Sequence, residues 1–343
     1  MPIELPEVHL AGELGRAELT DALRSELIAR IRRGAYAVAP SDVPAWQHRR
    51  MLTLARGIAV SRQLPGCCLG GLSAAAMHEL PIWREPERTY AFQDSHVRSG
   101  LPRDIVRSVA GLPEEDVVEI DGVRVSSLRR TMVDCARTLH PRDALVVVDG
   151  GIRQIIEPQR QRRTEDEERA EQLRQELLAR LTRGMRHRVR ATAVIRAAVP
   201  FAESAPESVI RWLAITRGMP TPVPQCEVST PSGVVWTDLG WRRRDGSWVH
   251  AEHDGMEKYR IRGGTPEELS RALAKEKARE EAIVDATWPV RSDVVRFTYG
   301  QVRDERIVYP RLVAKFSHED RADWDAAPAV PPALLPPRRH PHP

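Results

Sequence analysis

The stretch Trp248–Tyr259, WVHAEHDGMEKY, joins a strand pattern to two carboxylates and a lysine. Side chains alternate along a strand, so Glu252 and Asp254 are expected to share one face. Carboxylates held this close repel each other, and each raises the pKa of the other unless a cation lies between them. The pattern therefore indicates a cation site. The plainer interpretation is that the two acids belong to a turn ending at Gly255.

Asp238 is the candidate for a further ligand, because it lies near the matching end of the preceding predicted strand. If the turn between the two strands has an odd number of residues, Asp238 lies opposite Glu252 on the same face. One or two carboxylates are what Mg²⁺ uses in proteins, with water and substrate phosphate as its other ligands. The sequence therefore predicts that Asp238 and Glu252 hold Mg²⁺ (or Mn²⁺), unless Asp238 is only a polar strand end.

Four more side chains could take part in this chemistry. Glu207 follows Ser204 by three residues, so it either completes a helix capping box or orients a water or second ion. Lys258 is one of only four lysines in the chain, and its compact ammonium suits a phosphate or an activated water; the alternative is a surface position. Lys275 and Lys277 lie on a long predicted helix and either line a DNA groove or form a solvated face.

The helices and strands that must position these residues are predicted between residues 201 and 315. A helix is predicted from 205 to 217, and strands at 223–229, 234–241 and 248–254. A long helix that begins near residue 265 and a last strand at 294–300 complete the order αβββαβ. Residues 316–343 are assigned to a Pro-rich tail, and the part beyond Asp325 is expected to be extended or disordered.

Residues 1–45 predict a winged-helix-like module. Ala17–Leu23 is a first helix, Ser25 can cap a second, and Ala35–Val38 alternates like a short strand. A helix pair followed by a strand is the outline of a DNA-binding winged helix. A plain helical module, whose arginines merely complement the helix dipole, is the alternative. The side chains expected to contact DNA are Arg30, Arg32 and Arg33.

Composition places few limits on function. The chain has 343 residues, 41% of them hydrophobic, which is enough for two or three compact units. Residues 46–156 predict a mixed α/β middle domain, and residues 157–200 a helical connector. A formal net charge of +4 is too small to imply nucleic acid by itself. No apolar run is long enough for a membrane span and the four cysteines contain no CxxC motif, so a cytoplasmic protein with reduced thiols and no membrane association is expected.

The motifs DLGW, AEHDG, KY and WPVRSDVVRFTYG resemble the endonuclease domain related to very-short-patch-repair enzymes, which belongs to the PD-(D/E)XK nucleases. The resemblance covers residues 203–312. It implies a restriction-endonuclease-like fold with Asp238 and Glu252 on the metal and Asp254 nearby. Two positions depart from the family pattern: Lys258 stands where that domain carries His, and Asp254 stands where PD-(D/E)XK enzymes carry Lys.

The segments GGLSAAAMHELP and SSLRRTMVDCARTL resemble the winged-helix and linker regions of abortive-infection type IV antitoxins. Together the two resemblances imply Mg²⁺-dependent cleavage of DNA, with phage defence as the setting and with Glu207, Asp238, Glu252, Asp254 and Lys258 as the catalytic set. The alternative is a non-catalytic DNA-binding regulator of antitoxin type with a decayed nuclease fold and a toxin or defence partner. A protein-interaction adaptor without a DNA role is a third hypothesis.

Overall fold

The computed structural model describes residues 5–38, 43–92, 102–108, 112–253, 266–287 and 290–325. The chain divides into two compact units. The N-terminal unit comprises residues 1–139 and 180–187, and the C-terminal unit comprises residues 140–179 and 188–343. Helices and mixed or antiparallel sheets occur in both, so the predicted α/β class, α+β overall, is confirmed. Asp254, Lys258 and the tail from residue 326 lie outside the described residues.

The N-terminal unit contains two sheets. One is three-stranded in the order β1-β3-β2 and the other is five-stranded in the order β6-β5-β4-β8-β7. Its strands are β1 (Val8–Leu10), β2 (Ile28–Arg32), β3 (Ala35–Val38), β4 (Cys68–Leu69), β5 (Thr89–Phe92), β6 (Ile105–Ser108), β7 (Val117–Ile120) and β8 (Val123–Ser126). Its helices are α1 (Arg16–Arg24), α2 (Ala45–Gln63), α3 (Gly71–Met77) and α4 (Leu128–Thr138).

The second helix predicted in the N-terminal module is wrong, because Ile28–Arg32 is strand β2. The Ser25 hydroxyl donates to the Asp21 carbonyl at 2.7 Å, so Ser25 closes α1 and caps no second helix. β2 instead forms a hairpin with β3, whose turn contains Gly34 at a φ of +71°. A left-handed glycine suits such a tight turn. Ile28 and Ile31 are both buried, and their burial against the neighbouring helix stabilises the strand more than local helix propensity stabilises a helix.

The C-terminal unit holds the functional candidates. Its sheet has four strands in the order β12-β11-β10-β9. The strands are β9 (Val223–Thr230), β10 (Gly233–Arg242), β11 (Trp248–His253) and β12 (Asp293–Phe297). The helices are α5 (Pro141–Ile156), α6 (Arg163–Ala179), α7 (Arg188–Ala197), α8 (Ala205–Thr216), α9 (Pro266–Asp285), α10 (Tyr299–Val302), α11 (Glu305–Val313) and α12 (His318–Asp325).

The order α8-β9-β10-β11-α9-β12 is the predicted αβββαβ order. β9, β10 and β11 are antiparallel neighbours, and β12 joins β11 in parallel. Helix α8 contacts β10 and β11, whereas α9 contacts β9 and β12 at the two edges of the sheet. These contacts bring a helix N-terminus, a strand end and the inner side of α9 to the same part of the sheet.

Helix α8 is held by a fully buried ion pair. Arg211 and Asp149 have side chains that are 0% and 1% exposed, with Arg211 Nη1 2.7 Å from Asp149 Oδ2. Asp149 also accepts hydrogen bonds from the Ser208 hydroxyl and the Val199 amide. These bonds compensate the buried carboxylate and fix α8 against α5. The N-terminus of α8 therefore has a defined position.

None of the helices in the described part of the chain combines the length and the apolar character that crossing a membrane requires.

Candidate functional site

The β10–β11 hairpin has the register that an odd-numbered turn requires. Its pairs run from Arg242 with Trp248 to Leu239 with Ala251, and one further step brings Asp238 opposite Glu252. The Arg243 amide donates to the Ser247 carbonyl at 2.8 Å, which leaves a three-residue loop between them. Gly246 in that loop has a φ of +88°, the left-handed conformation that such loops need. The predicted placement of the two carboxylates follows from this loop.

The side chain of Asp238, on β10, is hydrogen-bonded to the last residue of β11. Its Oδ2 accepts a hydrogen bond of 2.7 Å from the main-chain amide of His253. Burial raises the pKa of Asp238, and the Glu203 carboxylate adds to the rise, while the His253 amide and the guanidinium groups of Arg279 and Arg160 oppose it. The net effect is a raised pKa, so the ionised form of Asp238 is less favourable here than in water. An added cation would therefore relieve an unfavourable charge at this position.

Glu207 caps helix α8, as one of the two sequence alternatives predicted, and its role toward a water or a second ion stays a prediction. It is 4% exposed, accepts a 2.7 Å bond from the Ser204 hydroxyl through Oε1, and accepts a 2.9 Å bond from the Glu203 amide through Oε2. These bonds cap helix α8. Burial and then repulsion from Asp238 raise the pKa of Glu207 to about 8. Glu207 is thus a capping residue that also interacts electrostatically with Asp238.

Glu252 is 7% exposed and is held between two arginines. Arg279 Nη1 of α9 lies 2.8 Å from Oε1, and Arg296 Nη2 of β12 lies 3.3 Å from Oε2. Burial raises the pKa of Glu252 and Asp238 adds to the rise, against the lowering influence of the two guanidinium groups. Glu207, Asp238 and Glu252 are called the acid cluster below.

The sequence interpretation did not identify Arg279 and Arg296 as residues of the site, where they are the ion-pair partners of Glu252. Arg296 lies directly beside Glu252 in the parallel β11–β12 pair. Its position between buried Val295 and Phe297 is a strand alternation that could have revealed it. Arg279 lies on the same helix as Lys275 and Lys277, but its Nη2 donates to the Trp236 carbonyl at 2.7 Å. The cations nearest to Glu252 among the described residues are therefore arginines.

The lysines of α9 are not brought to the acid cluster. Lys275 and Lys277 are exposed, and Lys277 Nζ lies 3.9 Å from Oε1 of Glu281, one helical turn away. Asp254 and Lys258 fall outside the described residues, so their predicted roles stay predictions. His250, on the same strand as Glu252, is 1% exposed and lies 2.8 Å from the Thr237 hydroxyl through Nδ1. Burial lowers the pKa of His250 to about 4, so this imidazole is neutral at physiological pH.

The donor chemistry of the acid cluster fits a hard divalent cation. Its oxygens are carboxylate oxygens, and the electrostatic repulsion among them is the kind that Mg²⁺ or Mn²⁺ removes. Within the described residues, no group of three or more His, Cys, Asp or Glu side chains is arranged as a metal site, so the fit rests on Asp238 and Glu252 as a pair. Arg279 and Arg296 compete for the oxygens of Glu252.

In the N-terminal unit, one of the three predicted DNA-contacting arginines is wrongly placed. Arg30 and Arg33 are exposed, as expected. Arg32 is 8% exposed, its Nε lies 2.9 Å from Asp104 Oδ2, and its guanidinium also bonds Gln63. The residue lies at the end of strand β2, just after an irregularity between Arg30 and Arg32, and its side chain faces the protein together with that of Ile31. Arg32 therefore stabilises the fold through this ion pair.

No protein-family model matches the chain. No curated protein matches it either. A crystal structure of the RV2827C protein from Mycobacterium tuberculosis is similar over 56% of this chain and 72% of its own, with 16% sequence identity and a TM-score of 0.31. A likeness at that level supports no conclusion about function.

Proposed function

We propose that this protein cleaves DNA phosphodiester bonds with Mg²⁺ or Mn²⁺ at the acid cluster, in the cytoplasm and in the setting of phage defence. One observation carries the proposal. Glu207, Asp238 and Glu252 come from a helix N-terminus and two strands; burial raises the pKa of all three carboxyls, and Asp238 adds to the rise at Glu207 and at Glu252. Clustered buried acids with perturbed pKa values are typical of functional sites.

In this proposal Asp238 and Glu252 hold the metal. A bound Mg²⁺ supplies an activated water and neutralises charge that develops at phosphorus. The chain's own residues orient the ligands: the His253 amide holds Asp238, and the guanidinium groups of Arg279 and Arg296 hold Glu252. The N-cap bonds fix Glu207 beside them, where its carboxyl, with a pKa of about 8, can hold or release a proton near neutral pH.

The direct test is a cleavage assay with purified full-length protein. Supercoiled plasmid, linear duplex and single-stranded DNA are incubated with Mg²⁺, Mn²⁺ or EDTA. We expect metal-dependent cutting that falls at least ~100-fold in Glu252→Gln, the scale usual for losing one strong electrostatic stabiliser. The matched control is Glu227→Gln, an exposed carboxylate on the neighbouring strand β9, which should cut like wild type. A wild type that cuts no DNA form with either metal overturns the proposal.

Metal binding has a readout that needs no turnover. A cation that binds only the folded protein stabilises it by an amount that grows with the logarithm of the cation concentration above its Kd, so the melting temperature rises with added metal. Mg²⁺ should therefore stabilise wild type and the Glu227→Gln control. Asp238→Asn removes a charged ligand and should abolish the stabilisation. Equal metal-induced shifts in wild type and Asp238→Asn would place the bound ion elsewhere.

A second candidate function is a non-catalytic DNA-binding regulator of antitoxin type that acts with a toxin or defence partner protein. The observation that favours it is the pair of arginines on Glu252, because both carboxylate oxygens already have cationic partners. Under this hypothesis wild type binds DNA, does not cut it with metal, and shows no metal-induced rise in melting temperature. The two candidates therefore differ in both assays.

A further inference from the structure

Arg160 lies at the edge of the acid cluster, although it belongs to a distant part of the sequence. It begins the 3₁₀ turn Arg160–Arg162, which precedes α6. Its guanidinium carbon is 5.2 Å from the centroid of the Trp236 ring. Trp236 is two residues before Asp238 on β10, and the Arg160 charge reaches far enough to lower the pKa of Asp238. Arg160 is thus a cation held close to a proposed metal ligand.

The guanidinium of Arg160 is positioned by polar contacts as well as by the ring. Nη2 donates to Gln225 Oε1 at 2.7 Å and to Glu203 Oε1 at 3.2 Å. Arg153 shares the Glu203 carboxylate at 3.1 Å. Gln225 is only 3% exposed, so a buried amide oxygen of β9 is aimed at an exposed arginine. This arrangement orders a long side chain that would otherwise be mobile in water.

The backbone that presents Gln225 is unusual. Gln225 has a φ of +46°, in the left-handed region that is strained for a non-glycine residue. The Arg163 guanidinium donates to the carbonyls of Pro224 and Gln225, at 2.7 Å each, and stabilises this conformation. Such strain is typical of segments that hold a functional side chain in place.

The remaining donors of Arg160 suit a phosphate. The Arg160 side chain is 38% exposed, and its Nη2 alone makes the hydrogen bonds found among the described residues. A guanidinium lying over an aromatic ring leaves its N–H edges directed outward, and these edges match phosphate oxygens in a bidentate manner. Arg279 donates to the Trp236 carbonyl through Nη2 and pairs with Glu252 through Nη1. Of these two arginines beside Trp236 in the described part of the chain, Arg160 is the one with Nη1 and Nε donors left for a phosphate.

We propose that Arg160, held on Trp236 and Gln225, binds a backbone phosphate of the DNA strand that lies over the acid cluster, next to the phosphate that is cleaved. This inference rests on the proposed function, because it takes DNA as the ligand of the cluster. Arg160 is a positioning residue for the strand. Its contribution is electrostatic, so it should appear in the salt dependence of binding.

The test measures binding of fluorescein-labelled duplex and single-stranded DNA by anisotropy, with full-length protein and Ca²⁺ in place of Mg²⁺, over a series of salt concentrations. Each phosphate contact contributes about 0.9 to the slope of log affinity against log salt on duplex DNA. We expect Arg160→Ala to reduce that slope by about 0.9. Arg162→Ala is the matched control, since Arg162 is an exposed arginine on the same turn, and its slope should equal that of wild type.

A third variant, Arg160→Lys, keeps the positive charge. It shows whether the change in Arg160→Ala comes from the lost charge or from damage to the fold. It should restore the wild-type slope with weaker affinity, because an ammonium cannot make the bidentate contact. Equal slopes for Arg160→Ala and wild type, or equal losses for Arg160→Ala and Arg162→Ala, overturn the inference. A wild type that shows the Arg160-dependent slope but cuts nothing supports the phosphate contact and overturns only the proposed catalysis. If wild type cuts DNA and Arg160→Ala has the wild-type slope, the proposed catalysis is supported and the Arg160 phosphate contact is overturned.

Discussion

Glu207→Gln tests whether the acid cluster carries an unfavourable buried charge. Glutamine can accept from the Glu203 amide through its Oε1 and donate to the Ser204 hydroxyl oxygen through its Nε2, so the substitution removes the ionisable carboxyl and keeps both capping contacts. Burial and the nearby Asp238 raise the pKa of Glu207 from 4.5 to about 8 in the folded protein. The folded state therefore binds a proton that the unfolded state releases between those pH values.

The linkage between proton binding and folding gives the direction in which stability changes with pH. A carboxyl with a raised pKa in the folded state contributes its stability below the unfolded pKa and loses it as pH rises through the folded pKa. A tenfold difference in proton affinity corresponds to about 1.4 kcal/mol, so the loss is at most about 5 kcal/mol between pH 4.5 and about 8. The raised pKa values of Asp238 and Glu252 act in the same direction.

The assay is urea unfolding at a series of pH values from about 5 to about 8. The free energy of unfolding of Glu207→Gln should gain on wild type as pH rises, by several kcal/mol at the upper end. Mg²⁺ bound at the cluster should reduce that gain, because it stabilises the ionised carboxylates. Glu227→Gln controls for the loss of one exposed carboxylate. If the wild-type and Glu207→Gln curves run parallel with pH, Glu207 has no such proton and the electrostatic description of the cluster is wrong.

Three further outcomes are expected. Arg211→Met leaves the fully buried Asp149 without its cation and should lower the free energy of unfolding by roughly 3–5 kcal/mol, measured by urea denaturation, with part recovered by adding Asp149→Asn. The four cysteines are all buried and burial raises the pKa of each thiol, so a thiol reagent should modify none of them until the protein unfolds, as followed by absorbance. Replacing Arg30 and Arg33 together by Ala should lower the salt slope of DNA binding by up to about 1.8, whereas Arg32→Ala should destabilise the fold and leave the slope unchanged.

Periodicity and turn chemistry predicted the αβββαβ elements of the C-terminal unit, but not the short helices α10, α11 and α12. The helix before β9 begins after its Ser204 cap, a local feature that can be identified from neighbouring residues. The sequence left open whether the loop between β10 and β11 is odd or even, and the structure shows the three-residue loop that pairs Asp238 with Glu252.

The N-terminal error has the opposite cause. Ile28 and Ile31 are three residues apart, a spacing that suits a helix, but a bulge between Arg30 and Arg32 lets both isoleucines face the core from a strand. The strand is stabilised by its partner β3 and by helix α2, which contacts β2. Tertiary contacts of this kind override local propensity. The same limitation hid Arg160 and Arg279, because their partners are distant in sequence.

The charge balance of the acid cluster bears on the choice between the nuclease proposal and the regulator proposal. Glu252 has two arginines, which is sufficient compensation for a buried carboxylate. Neither Glu207 nor Asp238 forms an ion pair in the part of the chain that the structure describes, and their hydrogen bonds come from a hydroxyl and main-chain amides. Burial raises the pKa of both carboxyls, so their ionised forms are costly without a further cation. In the nuclease proposal a divalent cation held by Asp238 and Glu252 lowers that cost, whereas the regulator proposal requires no such cation. Mg²⁺-dependent stabilisation that Asp238→Asn removes is therefore the observation that would decide between the two proposals.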